Sequence, residues 1–123
     1  MRKIFYLIIL LIIVTSCGDR PVSLTGAGIM SEYYIKDRLT HPNEVEFYGG
    51  YNGTVENDSI FTVTRNFDAK NSFGVKSSYV YKIQMVYLGG KWEDIKNWTY
   101  KFLIIEDLGT HEKEFFLSPQ DNK

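Results

Sequence analysis

Two runs of alternating residues dominate the middle of the chain. In the first, Phe61, Val63 and Phe67 share one parity; in the second, Tyr79, Tyr81, Ile83, Met85 and Tyr87 do. A period of two places each set on one face of a strand. The polar stretch between them, with Asp68, Asn71 and Gly74, reads as a hairpin connector. Arg65 breaks the inward parity of the first strand, which predicts a paired or snorkelling arginine at a sheet edge. Downstream, Gly89-Gly90 predicts a tight hairpin, with Trp92 to Ile95 continuing beyond it. Trp98, Tyr100, Phe102 and Ile104 then alternate against Thr99, Lys101, Leu103 and Ile105 in the most apolar strand. Phe115-Phe116-Leu117 reads as a short segment docked on the core.

Upstream of this ribbon the period changes. Ala27, Ser31, Tyr34, Ile35 and Leu39 recur at helical spacing, predicting a helix that starts between Thr25 and Ser31 and ends near Leu39. Glu32 and Lys36 stand four apart in the favourable order for a pair. Pro42 supplies the stop, and Gly26 and Gly28 weaken the first turn. Glu44–Tyr48 alternates as a short strand with Val45 and Phe47 on one face. Asn52-Gly53 signals a turn, Val55 opens another short strand, and Asn57-Asp58 turns into the ribbon. The expected fold class is α+β: one N-terminal helix packed on an antiparallel β-sheet of about four to five strands. The expected organisation is a leader over 1–16, a tether over 17–28, a single α+β domain over 29–117 and a frayed tail over 118–123.

The first residues follow neither period. Arg2 and Lys3 precede the unbroken apolar run Ile4–Val14. At helical rise that run covers roughly 16 Å, about half of a ~30 Å bilayer core, which suits a secretory signal better than a membrane span. It ends in Val14-Thr15-Ser16-Cys17, and Cys17 is the only cysteine in the chain. This resembles the bacterial lipoprotein signal, apolar then small then small before an invariant cysteine. The resemblance implies a diacylglyceryl group on the Cys17 thiol, cleavage just before it, and a further acyl chain on the new amino terminus. Each buried methylene contributes about 0.8 kcal/mol and stable anchoring takes more than one chain, so such a group holds the protein at a membrane. Gly18 stands where an aspartate retains enterobacterial lipoproteins at the inner membrane. The resemblance therefore favours the outer membrane, with the periplasmic or surface face left open.

Composition narrows the rest. The 14 basic residues fall short of the 15 acidic ones, and losing Arg2 and Lys3 with the leader makes the remainder mildly acidic. That is a poor match to nucleic acid. A lone cysteine permits no internal disulfide, so the core rests on apolar burial, to which the many aromatics are suited.

Arg38–Phe47 (RLTHPNEVEF), followed by the span from Phe61 to Tyr87, is similar to a widespread small bacterial domain of unknown function. Its pattern is a helix ending in leucine, a proline, an "aeF"-like strand and a "V-D-A-x-N-S-F-G-A-K" segment. Leu39, Pro42, Phe47, Asp68, Ala69, Asn71, Ser72, Phe73 and Gly74 match it. Phe67 stands for the usual valine and Val75 for the usual alanine. The resemblance spans roughly residues 29 to 105 and implies one helix on an antiparallel sheet, with no known activity. The second half, around Lys91–Tyr100, also resembles Bacteroidetes lipoproteins.

The densest polar cluster beside a strand end is Asp68, Lys70 and Asn71. It is a candidate partner-binding site, although turn chemistry alone explains an Asp and an Asn there; Phe73 is then expected to tuck onto the core. Tyr79, Tyr81, Tyr87, Trp92, Trp98 and Tyr100 make either a binding platform or cross-strand packing under a helix. Whichever of Trp92 and Trp98 is exposed is the better binding candidate. His41 and His111 lack neighbouring ligands at metal spacing, no nucleophile elbow is present, and the glycines lack a phosphate-loop context. Asp58-Ser59-Ile60 resembles a Bacteroidetes glycosylation site, which a plain turn explains equally well. No catalytic residue, metal or other cofactor is implied. The expectation is a non-enzymatic envelope lipoprotein that binds a protein or glycan, or alternatively an inhibitor or protective factor against an exported enzyme, with a small enzyme ranked last.

Labelled palmitate fed to cells expressing the full chain is expected to enter the wild type and to be lost in Cys17→Ala. Equal labelling of the two would refute acylation at this thiol.

Overall fold

The computed structural model describes residues 22–119; residues 1–21, which include the expected leader and Cys17, and the last four residues lie outside the described residues. Helix α1 (Leu24–Asp37) comes first, and five strands follow: β1 (Glu46–Val55), β2 (Ile60–Lys70), β3 (Lys76–Tyr87), β4 (Trp98–Asp107) and β5 (Lys113–Phe116). They form one antiparallel meander in the order β1-β2-β3-β4-β5. The architecture is α+β, as the hydrophobic pattern predicts.

The helix begins earlier than the glycines suggest. Ser23 caps it, its hydroxyl accepting a hydrogen bond from the Gly26 N–H at 3.1 Å, which satisfies one of the orphan donors of the first turn. Residues 24–28, expected in the tether, therefore belong to the helix. Gly26 and Gly28 are seats for rings. A Cβ on Gly28 would stand 2.2 Å from the Tyr51 ring, and one on Gly26 3.3 Å from Trp92. Their lack of a side chain lets the helix lie close on two aromatics.

α1 covers one face of the sheet. Ala27, Met30 and Ile35 meet Phe61, Val63, Phe67, Tyr81, Ile83, Met85, Trp98, Tyr100 and Leu103, all buried. Complete burial contributes about 1.5–3 kcal/mol for side chains such as Ile35 and Met30. Ring contacts knit the layer: Phe67 stacks on Tyr79 at 5.1 Å, and Tyr34 meets Tyr100 edge-on at 4.9 Å. The core is thus the aromatic face that alternation assigns to the central strands.

Two irregularities overturn local expectations. Asn52-Gly53 is no turn. Tyr48 opposes Asn66 and Asn52 opposes Thr64, so Gly49–Tyr51 all face Arg65 within one bulged strand. Gly49 takes φ 79°, which lets the backbone arch without strain. In β4, Ile83 opposes Leu103 while Met85 opposes Tyr100. The additional residue flips the parity, so Leu103, not Phe102, continues the buried face of Trp98 and Tyr100. Phe102 turns to the opposite face and stacks on Phe115. The β3–β4 connection is also longer than a two-residue hairpin, with a 3-10 turn at Ile95–Asn97, and Phe115-Phe116 joins the sheet as β5.

Gly28→Ala is expected to lower stability by about 1–3 kcal/mol through overpacking against Tyr51, despite alanine's better helix propensity. Urea denaturation measures it. If the close seat is the cause, the penalty shrinks when Tyr51→Ala is already present.

Candidate functional site

Arg65 points inward from β2, an interior strand, rather than lying at a sheet edge. Its guanidinium pairs with Glu32 of α1, its Nε donates to the Gly49 carbonyl at 3.1 Å, and it stacks over the Tyr51 ring at 4.3 Å. Tyr51 in turn donates to Glu32 at 2.7 Å. Glu32 thus serves Arg65 and Tyr51 instead of Lys36, whose ammonium sits 5.9 Å from the Phe47 ring centre. Deeper in, Ser31 gives its one hydroxyl proton to the Gly28 carbonyl at 2.6 Å, so Tyr81 donates to the Ser31 oxygen at 2.8 Å. Burial pushes the Tyr81 hydroxyl far up from its ordinary value. Burial, then Glu32 as acceptor and charge, raises Tyr51. Burial and the neighbouring Tyr100 raise Tyr34 to about 12. These shifted groups are tyrosines locked between helix and sheet, each with its proton donated to a partner. They hold the layers together.

The accessible chemistry lies at the other end of the helix. Beyond the Arg38 cap the chain runs through Leu39 and Thr40 into a 3-10 turn at Pro42–Glu44. Between this segment and the sheet end is a pocket of about 190 Å³. Leu39, Phe67, Ala69, Tyr79 and Ile105 supply its apolar floor and walls; Arg38, Thr40, Lys70, Asn71 and Glu114 ring its mouth. Arg38 is fixed there: its guanidinium lies 3.5 Å from the Phe116 ring centre and donates to the Tyr100 hydroxyl. An open hollow along Thr40–Glu44 continues the pocket on one side, and one bounded by Asp107 and Glu112–Glu114 on the other.

The β2–β3 turn stands over this groove. Asn71 organises it: its side-chain oxygen accepts from the Phe73 and Val75 N–H groups at 2.9 and 3.1 Å. Its backbone exchanges bonds with Val75 and Gly74. The result is a rigid tip, and Phe73 is 89% exposed on it, not tucked onto the core; Val75 is 57% exposed.

Of the sequence-derived candidates, Lys70 and Asn71 reach the groove. Lys70 pairs with Glu44 at 3.3 Å across the adjoining hollow. Asp68 belongs to the face opposite α1, accepting from the Ser78 hydroxyl at 2.7 Å. Trp98 is 3% exposed and buried in the core. Trp92 is half-buried against Gly26, its carbonyl accepting from the Trp98 indole N–H at 2.6 Å. Neither tryptophan offers the exposed ring expected of a binding platform. Residues that the pattern did not flag are Arg38 and the outward Phe73 and Val75. The available signal was an aromatic set inside a Ser-Gly turn, where alternation gives it no inward slot.

Among the described residues there is no group of three or more His, Cys, Asp or Glu placed to hold a metal, and no helix long and apolar enough to cross a membrane. Comparison with protein-family models, curated proteins and solved structures finds no match. The likeness to lipoproteins and to the NSFG-bearing domain rests on the residues quoted for it.

The tyrosines give the fold an alkaline limit. A raised folded pKa means that the unfolded chain loses its proton first, near 10.0 for Tyr34. The contribution is complete below that pH and is lost as pH climbs through about 12. Denaturation midpoints are expected to fall over this window, and Tyr34→Phe to flatten the slope. An identical slope in the variant would exclude Tyr34 as a source.

Proposed function

We propose that the chain is a non-enzymatic envelope lipoprotein, anchored through acyl chains on Cys17 and preferring the outer membrane, whose α+β domain binds a protein partner. The contact surface is the hairpin tip and the groove beside it. The observation that carries the reading is Phe73, held at 89% exposure by an Asn71-capped turn beside an apolar-floored pocket. The capped turn that carries the ring is preordered in its backbone, which lowers the ordering cost of docking, and burying the ring contributes about 1.5–3 kcal/mol. A glycan is less well served, because Trp92 and Trp98 are drawn into the helix–sheet contact.

The layout suits a tether. Only Gly18–Val22 separates Cys17 from the Ser23 cap, while the groove lies past the far end of α1, about 21 Å away at helical rise. An anchor at one end of the helix directs the groove away from the bilayer. A second reading, an inhibitor or protective factor against an exported enzyme, is favoured by the same rigid protruding tip, a shape suited to entering a cleft.

Membrane-solubilised full-length chain is expected to retain a partner that Phe73→Asp loses by about tenfold or more, the usual scale for a central aromatic anchor. Lys82→Asp, on the face opposite α1, should keep it. A captured set that Phe73→Asp leaves unaltered would remove the support for this surface.

A further inference from the structure

A knob and a hole lie side by side on this surface. The Phe73 ring projects into solvent, and the turn that carries it is fixed outward by the Asn71 side chain. The pocket beneath, floored by Phe67, Ala69 and Ile105, has room for one aromatic side chain. A ring and its matching recess on one patch are the elements of a two-fold contact, in which each copy gives what the other receives. Charge agrees with this arrangement. The tip from Lys70 to Lys76 carries no acidic residue, whereas the wall beyond the pocket presents Asp107, Glu112 and Glu114, with Lys113 the one base among them. Lys76 is 54% exposed and meets Glu46 only at 3.5 Å, so turning it toward another carboxylate costs little.

We propose that a second copy of this chain is a partner of this surface: Phe73 of each copy enters the pocket of the other, and Lys76 meets the acidic wall. This rests on the tip and groove being the contact surface, as proposed above. Two exchanged phenylalanines bury roughly 150–250 Å² each, well short of the ~1,200 Å² at the lower bound of stable interfaces. Val75 and the groove walls add to this, and the pair is weak when dilute. Confinement of tethered copies raises their effective concentration and favours it.

The test places photoreactive p-benzoylphenylalanine at position 73 of the full chain in bacterial membranes. The expected product is an adduct of twice the chain's mass, with the crosslink mapping to Arg38–Thr40 or Ile105–Glu114. Thr40→Trp, which crowds the pocket mouth, should reduce that adduct about tenfold. The same photoreactive residue at Lys82 should give no doubled species. An adduct with a different protein alone would overturn self-association and leave the protein-binding reading standing. Adducts to lipid only, or to nothing, would overturn both. A doubled species that maps elsewhere, or that survives Thr40→Trp undiminished, would overturn the exchanged-ring contact.

Discussion

An arginine on the inward face of a strand imposes most of what is particular about this fold. Arg65 occupies the parity of Phe61, Val63 and Phe67, so its charge enters the layer between sheet and helix. A partly buried cation costs several kcal/mol unless a carboxylate and further acceptors meet it. Glu32 supplies the charge from α1, the arched backbone at Gly49 supplies a carbonyl, and Tyr51 supplies a ring. Each partner then carries its own requirement. Glu32 must stand one position from Ser31, whose hydroxyl meets Tyr81. The strand must bulge to swing Tyr51 over the guanidinium, and Gly28 must lack a side chain to admit that ring. Satisfying one charge thus ties the helix, the arch of β1 and the Gly28 seat to one another.

The two ends of α1 have different character as a result. Toward its start, Gly26 and Gly28 bring the helix down onto Trp92 and Tyr51. Toward its end no such seat exists, and the space between Leu39 and the sheet stays open as the pocket. The aromatic layer continues beneath it as the Phe67–Tyr79 stack. The groove is the hydrophobic core coming to the surface where the helix has run out, which is why its floor is apolar and its rim polar.

Much of the fold was legible because strands and helix impose periods that burial preserves. The helix and the central hairpin stand where their apolar spacing puts them, and Arg65 announced itself as an exception. What escaped were features that periodicity cannot carry. A bulge adds residues without a chemical label, so Phe102 and Leu103 exchange faces and Asn52-Gly53 imitates a turn. The glycines read as helix weakness because their ring partners, Tyr51 and Trp92, are distant in sequence. At the groove, Lys70 and Asn71 were legible as polar residues at a strand end, whereas Arg38 joined them only through helix length and packing. Hydrophobicity alone says nothing about direction in a loop, so Phe73, expected on the core, stands in solvent.

The arch in β1 has one more effect. This strand forms the rim of the sheet, and a long straight rim invites another chain to zip onto its bare amides. Here the regular stretches are only Glu46–Tyr48 and Asn52–Val55, thrown out of line by Gly49–Tyr51. Neither is long enough to template a foreign strand. The distortion that feeds a carbonyl to Arg65 therefore also blunts this rim against edge-to-edge pairing.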